Sequence, residues 1–237
     1  MPPIDAEVTL HGQHIGWLRY VQGGSTFTYE QQLTGGHDVF GQAFEDDPGA
    51  RRSERVGLPA WFANLLPEGA MRQYVVRDLG GGRIGDFTLL QRLGADLPGA
   101  VVVHGGHEPD DDVTPPDAVP DHSLRHSLAG VQLKFSVPGA RLTLPVSGQG
   151  GWWIVKLPDR SVRELPLNEY LTMRWLAAAG FLVPDTQLLA AKDVGGLPEG
   201  LVDPSELVYA VKRFDREAGG RVHVEDFAQV AEVAPAM

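Results

Sequence analysis

The chain opens on alternating apolar and polar residues, the period of half-buried strands. Val8-Thr-Leu-His-Gly12, His14 to Val21 and Ser25-Thr-Phe-Thr-Tyr29 carry it, and Gly23-Gly24 reads as a tight hairpin turn. The period then lengthens. The spacing predicts a helix over 59–66, another over 70–77 and a third over 87–93, with Asp86 as N-cap and Gly94 as stop. A short buried strand, Ala100-Val-Val-Val103, closes this segment.

Residues 105–122 differ in character. Six acidic residues and four prolines, with no Lys or Arg, make a solvated connector. Beyond it the pattern predicts strands over 130–137 and 141–144, a third over 152–157 ended by Pro158, and a helix over 168–179 with Gly180 at its stop. Strands over 187–190 and 207–214 follow. The expected fold is α+β: a small mixed subdomain over 1–104, the connector over 105–122, and an antiparallel-sheet lobe with one packed helix over 123–237.

Composition narrows the function. Twenty basic against 31 acidic residues give a net charge of −11, so a phosphate-neutralising basic face for nucleic acid is not expected. There is no cysteine, which excludes disulfides, thiolate zinc sites and Cys nucleophiles. No apolar run approaches the ~20 residues that cross a bilayer, and residues 1–5 hold no signal-peptide pattern. A cytoplasmic protein without a membrane partner is expected. Lys stands only at 134, 156, 192 and 212, against 16 Arg; a site that needs a compact ammonium would keep a lysine, while codon bias and chance account for the same numbers.

Gly80-Gly-Gly-Arg-Ile-Gly85 matches G-x-G-x-x-G, but it follows a helical stretch where a strand is required, and reads as a loop. His104, His107, His122 and His126 fit no metal-ligand spacing. Pro67-Glu-Gly69 reads as a turn after a helix. In Ser127-Leu-Ala-Gly-Val-Gln-Leu-Lys134 a small-residue turn runs into a strand with Gln132 and Lys134 on one face. Its backbone N–H groups and lysine could meet phosphate, or it is a hairpin edge with a polar outer face. Lys156 interrupts an apolar strand, where a lysine is costly unless paired. Glu169 lies thirteen residues on, upon the next helix. A strand lysine paired with a helix glutamate and aimed at α/β-phosphates is a protein-kinase arrangement; the alternatives are a structural ion pair or a lysine snorkelling at the sheet edge.

At these residues the chain resembles the HipA-like serine/threonine kinases of bacterial toxin–antitoxin modules. The matching blocks run in order: Asn64-Leu-Leu-Pro-Glu-Gly69, Asp86-Phe-Thr-Leu-Leu90, Leu93 to Ala100, Ser127 to Phe135, Trp153-Ile-Val-Lys-Leu-Pro158, Asn168-Glu-Tyr170, Gly180 to Pro184, Arg213-Phe-Asp-Arg216 and Val224-Glu-Asp-Phe227. The resemblance implies ATP as cofactor with Mg. Ala129, Gly130, Val131, Gln132, Leu133 and Lys134 match a phosphate-covering loop, and Lys156 the phosphate-pairing lysine, held by Glu169. Lys212, Arg213 and Phe214 match a hinge that contacts adenine. Ser127 matches an autophosphorylated loop serine. It also implies a HipB-like helix-turn-helix antitoxin, contact with DNA only through that antitoxin, and a protein substrate such as an aminoacyl-tRNA synthetase.

The family's catalytic Asp and magnesium ligands have no match after Phe214, so no catalytic residue and no metal ligand is assigned here. The chain is expected to be the N-terminal part of such a kinase, inactive alone. The alternative is a non-catalytic half-kinase that docks on a separate catalytic chain or an antitoxin.

Overall fold

Alternation becomes a meander in the computed structural model, which describes residues 4–30, 40–47, 49, 51–105, 134–138, 151–159, 162, 164–195, 197 and 200–235. Strands β1 (Ile4–Leu10), β2 (Gln13–Val21) and β3 (Gly24–Tyr29) pair antiparallel. Ala6, Val8 and Leu10 of β1 and Ile15 and Leu18 of β2 enter the core, while Trp17 and Arg19 face outward. His11-Gly12 (φ +50° and +77°) and Gln22-Gly23 (φ +52° and +94°) make the two turns. Two successive left-handed residues are what the favoured two-residue hairpin needs. The second turn therefore sits one residue earlier than the expected Gly23-Gly24. Gly24 instead starts β3, where a Cβ would come within 2.4 Å of the Glu54 carbonyl on the edge strand β4 (Arg52–Glu54).

Helices α1 (Gln42–Asp46), α2 (Ala60–Ala63), α3 (Gly69–Asp78) and α4 (Asp86–Leu93) accompany this sheet. The helix expected over 59–66 is shorter because Pro67 disfavours a helical Leu66. Gly85, not Asp86, is the N-cap of α4; Asp86 lies in the first turn and accepts from Arg72 Nη2 at 2.6 Å. Gly94 does not stop the chain in a left-handed turn. It has φ −55° and opens a 3₁₀ turn over Gly94–Asp96. A Cβ there would lie 2.0 Å from the Val103 carbonyl, so close approach of β5 (Val101–His104) demands the glycine. β5 pairs with β1, giving the order β4-β3-β2-β1-β5.

The second sheet has the order β6-β7-β9-β8, all antiparallel, from β6 (Lys134–Pro138), β7 (Gly151–Lys156), β8 (Thr186–Ala190) and β9 (Leu207–Lys212). Helix α5 (Leu165–Ala178) packs on β8 and β9. It starts three residues before the expected Asn168, with Pro166 in its first turn, where a missing N–H costs nothing. Gly180 follows its end at φ +88°. β9 stops two residues before the expected Phe214. Most of the acidic connector, residues 130–133 and the expected strand over 141–144 lie outside the described residues.

After β9 the chain makes a hairpin of β10 (Arg216–Glu217) and β11 (Gly220–Arg221), then α6 (Phe227–Val230), begun by an Asp226–Gln229 capping box. This segment returns to the first sheet's helices. Glu225 accepts from Trp61 Nε1 at 2.6 Å and from the Gln42 backbone N–H at 2.9 Å. Gln229 donates to the Trp61 carbonyl and Asn64 to the Val233 carbonyl. Trp153, Val155 and Leu157 of the second sheet join the same buried cluster as Val8, Leu90 and Val101. One core thus runs through both sheets.

Candidate functional site

The two faces of β7 have different tasks. Trp153, Val155 and Leu157 are buried in the core, while Ile154 and Lys156 alternate onto the other face and are half-buried. One helical turn into α5, Glu169 meets Lys156, whose Nζ donates to Oε2. Both side chains keep about a quarter of their surface, 27% and 23%, so the pair is open to a ligand.

The register sets what lies beside them. Lys134 of β6 is opposite Lys156, and Lys156 is opposite Tyr209 of β9. Cross-strand partners share a face, so these three form a row across the sheet. Lys156 Nζ stands 5.7 Å from the Tyr209 ring centroid, within cation–π range. Two lysines directly opposed repel. Burial, and then the charge of Lys156, hold the Lys134 ammonium below its ordinary pKa, with Glu169 and Glu68 opposing. Burial, and then Glu169, push the Tyr209 hydroxyl up to about 12. Among the described residues that buried hydroxyl has no hydrogen-bond partner. Two ammonium groups thus lie close together, with Glu169 bonded to one of them and Glu68 as a second carboxylate near the other. A polyphosphate fits this row.

The far end of β9 is built differently. Lys212 is half-exposed, with Nζ 3.5 Å from Asp185. Arg213 points inward: its guanidinium forks onto both Asp215 oxygens at 2.8 Å, and its side chain is 1% exposed. Its backbone N–H donates to the Trp152 carbonyl. Neither the side chain nor the N–H of Arg213 is therefore turned to a nucleotide. Phe214, between the buried residues, is 69% exposed. Lys156 is paired with Tyr209, three residues before Lys212, or ~10 Å along the strand, a span suited to a nucleoside between its phosphates and its base.

The sheet thus brings together Lys134, Lys156 and Glu169, with Lys212 and Phe214 at its far end. Ser127, Ala129, Gly130, Val131, Gln132 and Leu133 lie outside the described residues. Tyr209 and Glu68 were not singled out from the sequence. Tyr209 reads as one more apolar strand residue until pairing shows its neighbours, and Glu68 belongs to a turn sixty-six positions before Lys134. Gly80 to Gly85 follows α3 as a loop with three left-handed glycines, and His104 bonds Thr9. Among the described residues no three His, Asp or Glu side chains group as metal ligands, so magnesium has no assigned holder there. No described helix is long and apolar enough to cross a membrane.

Comparison with known proteins places two family descriptions on the chain. The HipA N-terminal domain matches residues 6–104, and the HipA-like C-terminal domain matches residues 126–237. Two proteins of Sinorhizobium fredii designated kinases, Y4dM and Y4mE, are 39% and 33% identical over 99% and 80% of the chain. The chain spans 61% and 49% of their lengths. A chain of the solved Shewanella oneidensis MR-1 toxin–antitoxin complex of HipA, HipB and operator DNA superposes with a TM-score of 0.58 at 20% identity. The match covers 97% of this chain and 56% of that one.

Proposed function

The chain belongs to the HipA-like family, and from that premise we propose that it holds the nucleotide of a toxin serine/threonine kinase. The observation that carries this is the row of Lys134, Lys156 and Tyr209 with Glu169 bonded to Lys156. A strand lysine fixed by a helix glutamate is how kinases grip α/β-phosphates. Here Glu169 fixes the Lys156 ammonium, and Lys134 adds a second charge at the same end. The Tyr209 ring lies beside the Lys156 ammonium, and at the far end of the strand Phe214 offers the base an exposed aromatic side chain. ATP supplies the phosphoryl group for a serine or threonine hydroxyl, and phosphoryl transfer depends on positioning and charge stabilisation of this kind. Ala129 to Leu133 are the proposed cover over the phosphates, and Ser127 the proposed site of autophosphorylation.

The protein substrate in this reading is a translation factor such as an aminoacyl-tRNA synthetase. The partner is a HipB-like DNA-binding antitoxin, as in the complex whose fold the chain shares. A second reading, a non-catalytic module that docks on another chain, draws on α5. Leu171 and Trp175 on one face of that helix are 50% and 80% exposed, and Leu182 just beyond it is fully exposed.

The test is calorimetric titration of the chain with ATP. The wild type should bind, and Lys156→Ala should weaken binding about ten- to a hundredfold, as expected for one lost charge-assisted contact. Equal affinity in both proteins, or no binding by the wild type, overturns the nucleotide reading. Docking without nucleotide would then remain.

A further inference from the structure

Where β9 ends, a buried cluster of four charges joins the two family segments. Arg213 and Arg216 face Asp215 and Asp96, and each of the four side chains is less than a tenth exposed. Asp96 comes from the 3₁₀ turn after α4. Its Oδ1 accepts from Arg216 Nη2 at 2.9 Å and lies 3.4 Å from Arg213 Nη1. The same turn supplies the Leu97 and Gly99 carbonyls to Arg216, both at 2.9 Å, and the Gly99 N–H to Asp215 Oδ2 at 2.9 Å. Arg221 adds a third guanidinium beside them, its Nη2 donating to the Ala95 carbonyl of the same turn at 2.6 Å, and a buried cluster of this kind tolerates little displacement.

The geometry fixes more than the fold. Residues 213 and 215 both point inward and bond each other, so residue 214 must point outward. Phe214 is the exposed member of an otherwise buried turn.

We infer that Asp96 is a positioning residue for the nucleotide base: from the N-terminal segment it holds the Arg213–Arg216 turn that presents Phe214 at the end of β9. The inference rests on the nucleotide reading above. Anything that shifts the turn after α4 then changes affinity at the base end of the site and leaves the phosphate end as it was. The Lys134–Lys156 row belongs to strands whose hydrogen bonds do not involve Asp96.

This separation gives the test. ATP and inorganic tripolyphosphate are titrated into the whole chain, its Asp96→Asn and Phe214→Ala variants, and the double variant. The expected result is that each single variant weakens ATP roughly tenfold, the order of one lost stacking contact. The double variant should be no weaker than Phe214→Ala, because residues acting as one unit are non-additive. Tripolyphosphate affinity should not move. An Asp96→Asn protein that binds ATP like the wild type, loses both ligands equally, or adds its loss to that of Phe214→Ala overturns the inference. If Asp96→Asn does not fold, Arg216→Lys, which keeps the charge but loses the fork, takes its place. Loss of the fold in both variants assigns the cluster to stability alone and also overturns it. Failure of the wild type to bind either ligand overturns the nucleotide reading itself.

Discussion

Lys134 shows how a single residue can sit against the interest of the fold. It faces Lys156 across the strand pair, and its ammonium is disfavoured by burial and by that neighbour. Because its pKa is lowered on folding, the unfolded chain binds more protons at alkaline pH short of 10.5, so stability from this group rises as pH climbs through that window. Lys134→Gln removes the repulsion. At pH 7 it should raise Tm by about 2 °C, the effect of somewhat under 1 kcal/mol in a chain of this size, while weakening ATP binding. Paired melts of variant and wild type from pH 7 to 10.5 check the sign: the gain should shrink with rising pH, as wild-type Lys134 loses its proton. Four lysines among twenty basic residues made the position conspicuous in the sequence. Its cost became visible only with the register.

At the scale of elements, periodicity located most strands and helices, and the corrections share one cause. Gly24, Gly94 and Asp86 were read as local punctuation, yet each answers to a partner far along the chain. Gly94 is the plainest case. Its φ of −55° suits any residue, so Gly94→Ala would ordinarily stabilise a helix end through propensity. Here the added Cβ meets the Val103 carbonyl at 2.0 Å, and β5 must move. The variant should lose about 3 kcal/mol in denaturant melts, at the upper end for an overpacked core. A neutral or stabilising result would show that β5 yields freely. The short elements α1, β4, β10, β11 and α6 left no periodic signal of their own.

Across the whole molecule, the 213–233 segment belongs in sequence to the second sheet and in space to the first. Arg216 reaches the turn after α4, Glu225 holds Trp61, and Asn64 holds the Val233 carbonyl. Neither half can melt while the other keeps its contacts, so calorimetry should record one transition with equal calorimetric and van't Hoff enthalpies. Glu225→Ala strands the buried Trp61 N–H and should lower that single Tm, at a cost of about 1–3 kcal/mol, without splitting it. Two resolved transitions would mean that the halves are independent.

The sequence by itself determined most element types and the α+β class, and it singled out Lys156 with Glu169, because these rest on local period, residue chemistry and spacing within one strand–helix unit. The family followed from the resemblance of ordered blocks along the chain. The ordered blocks were legible, but what several of them do was not. Only the tertiary structure joined Leu93 to Ala100 with Arg213 to Arg216, and Asn64 with the segment after Val224. It turned the Arg213 side chain away from the proposed base site, and set Tyr209 beside Lys156. The physical reason is that register and buried charge pairing are long-range choices. Register is decided by which face of each strand is buried and charge pairing by residues far apart in sequence, and no window along the chain contains both partners.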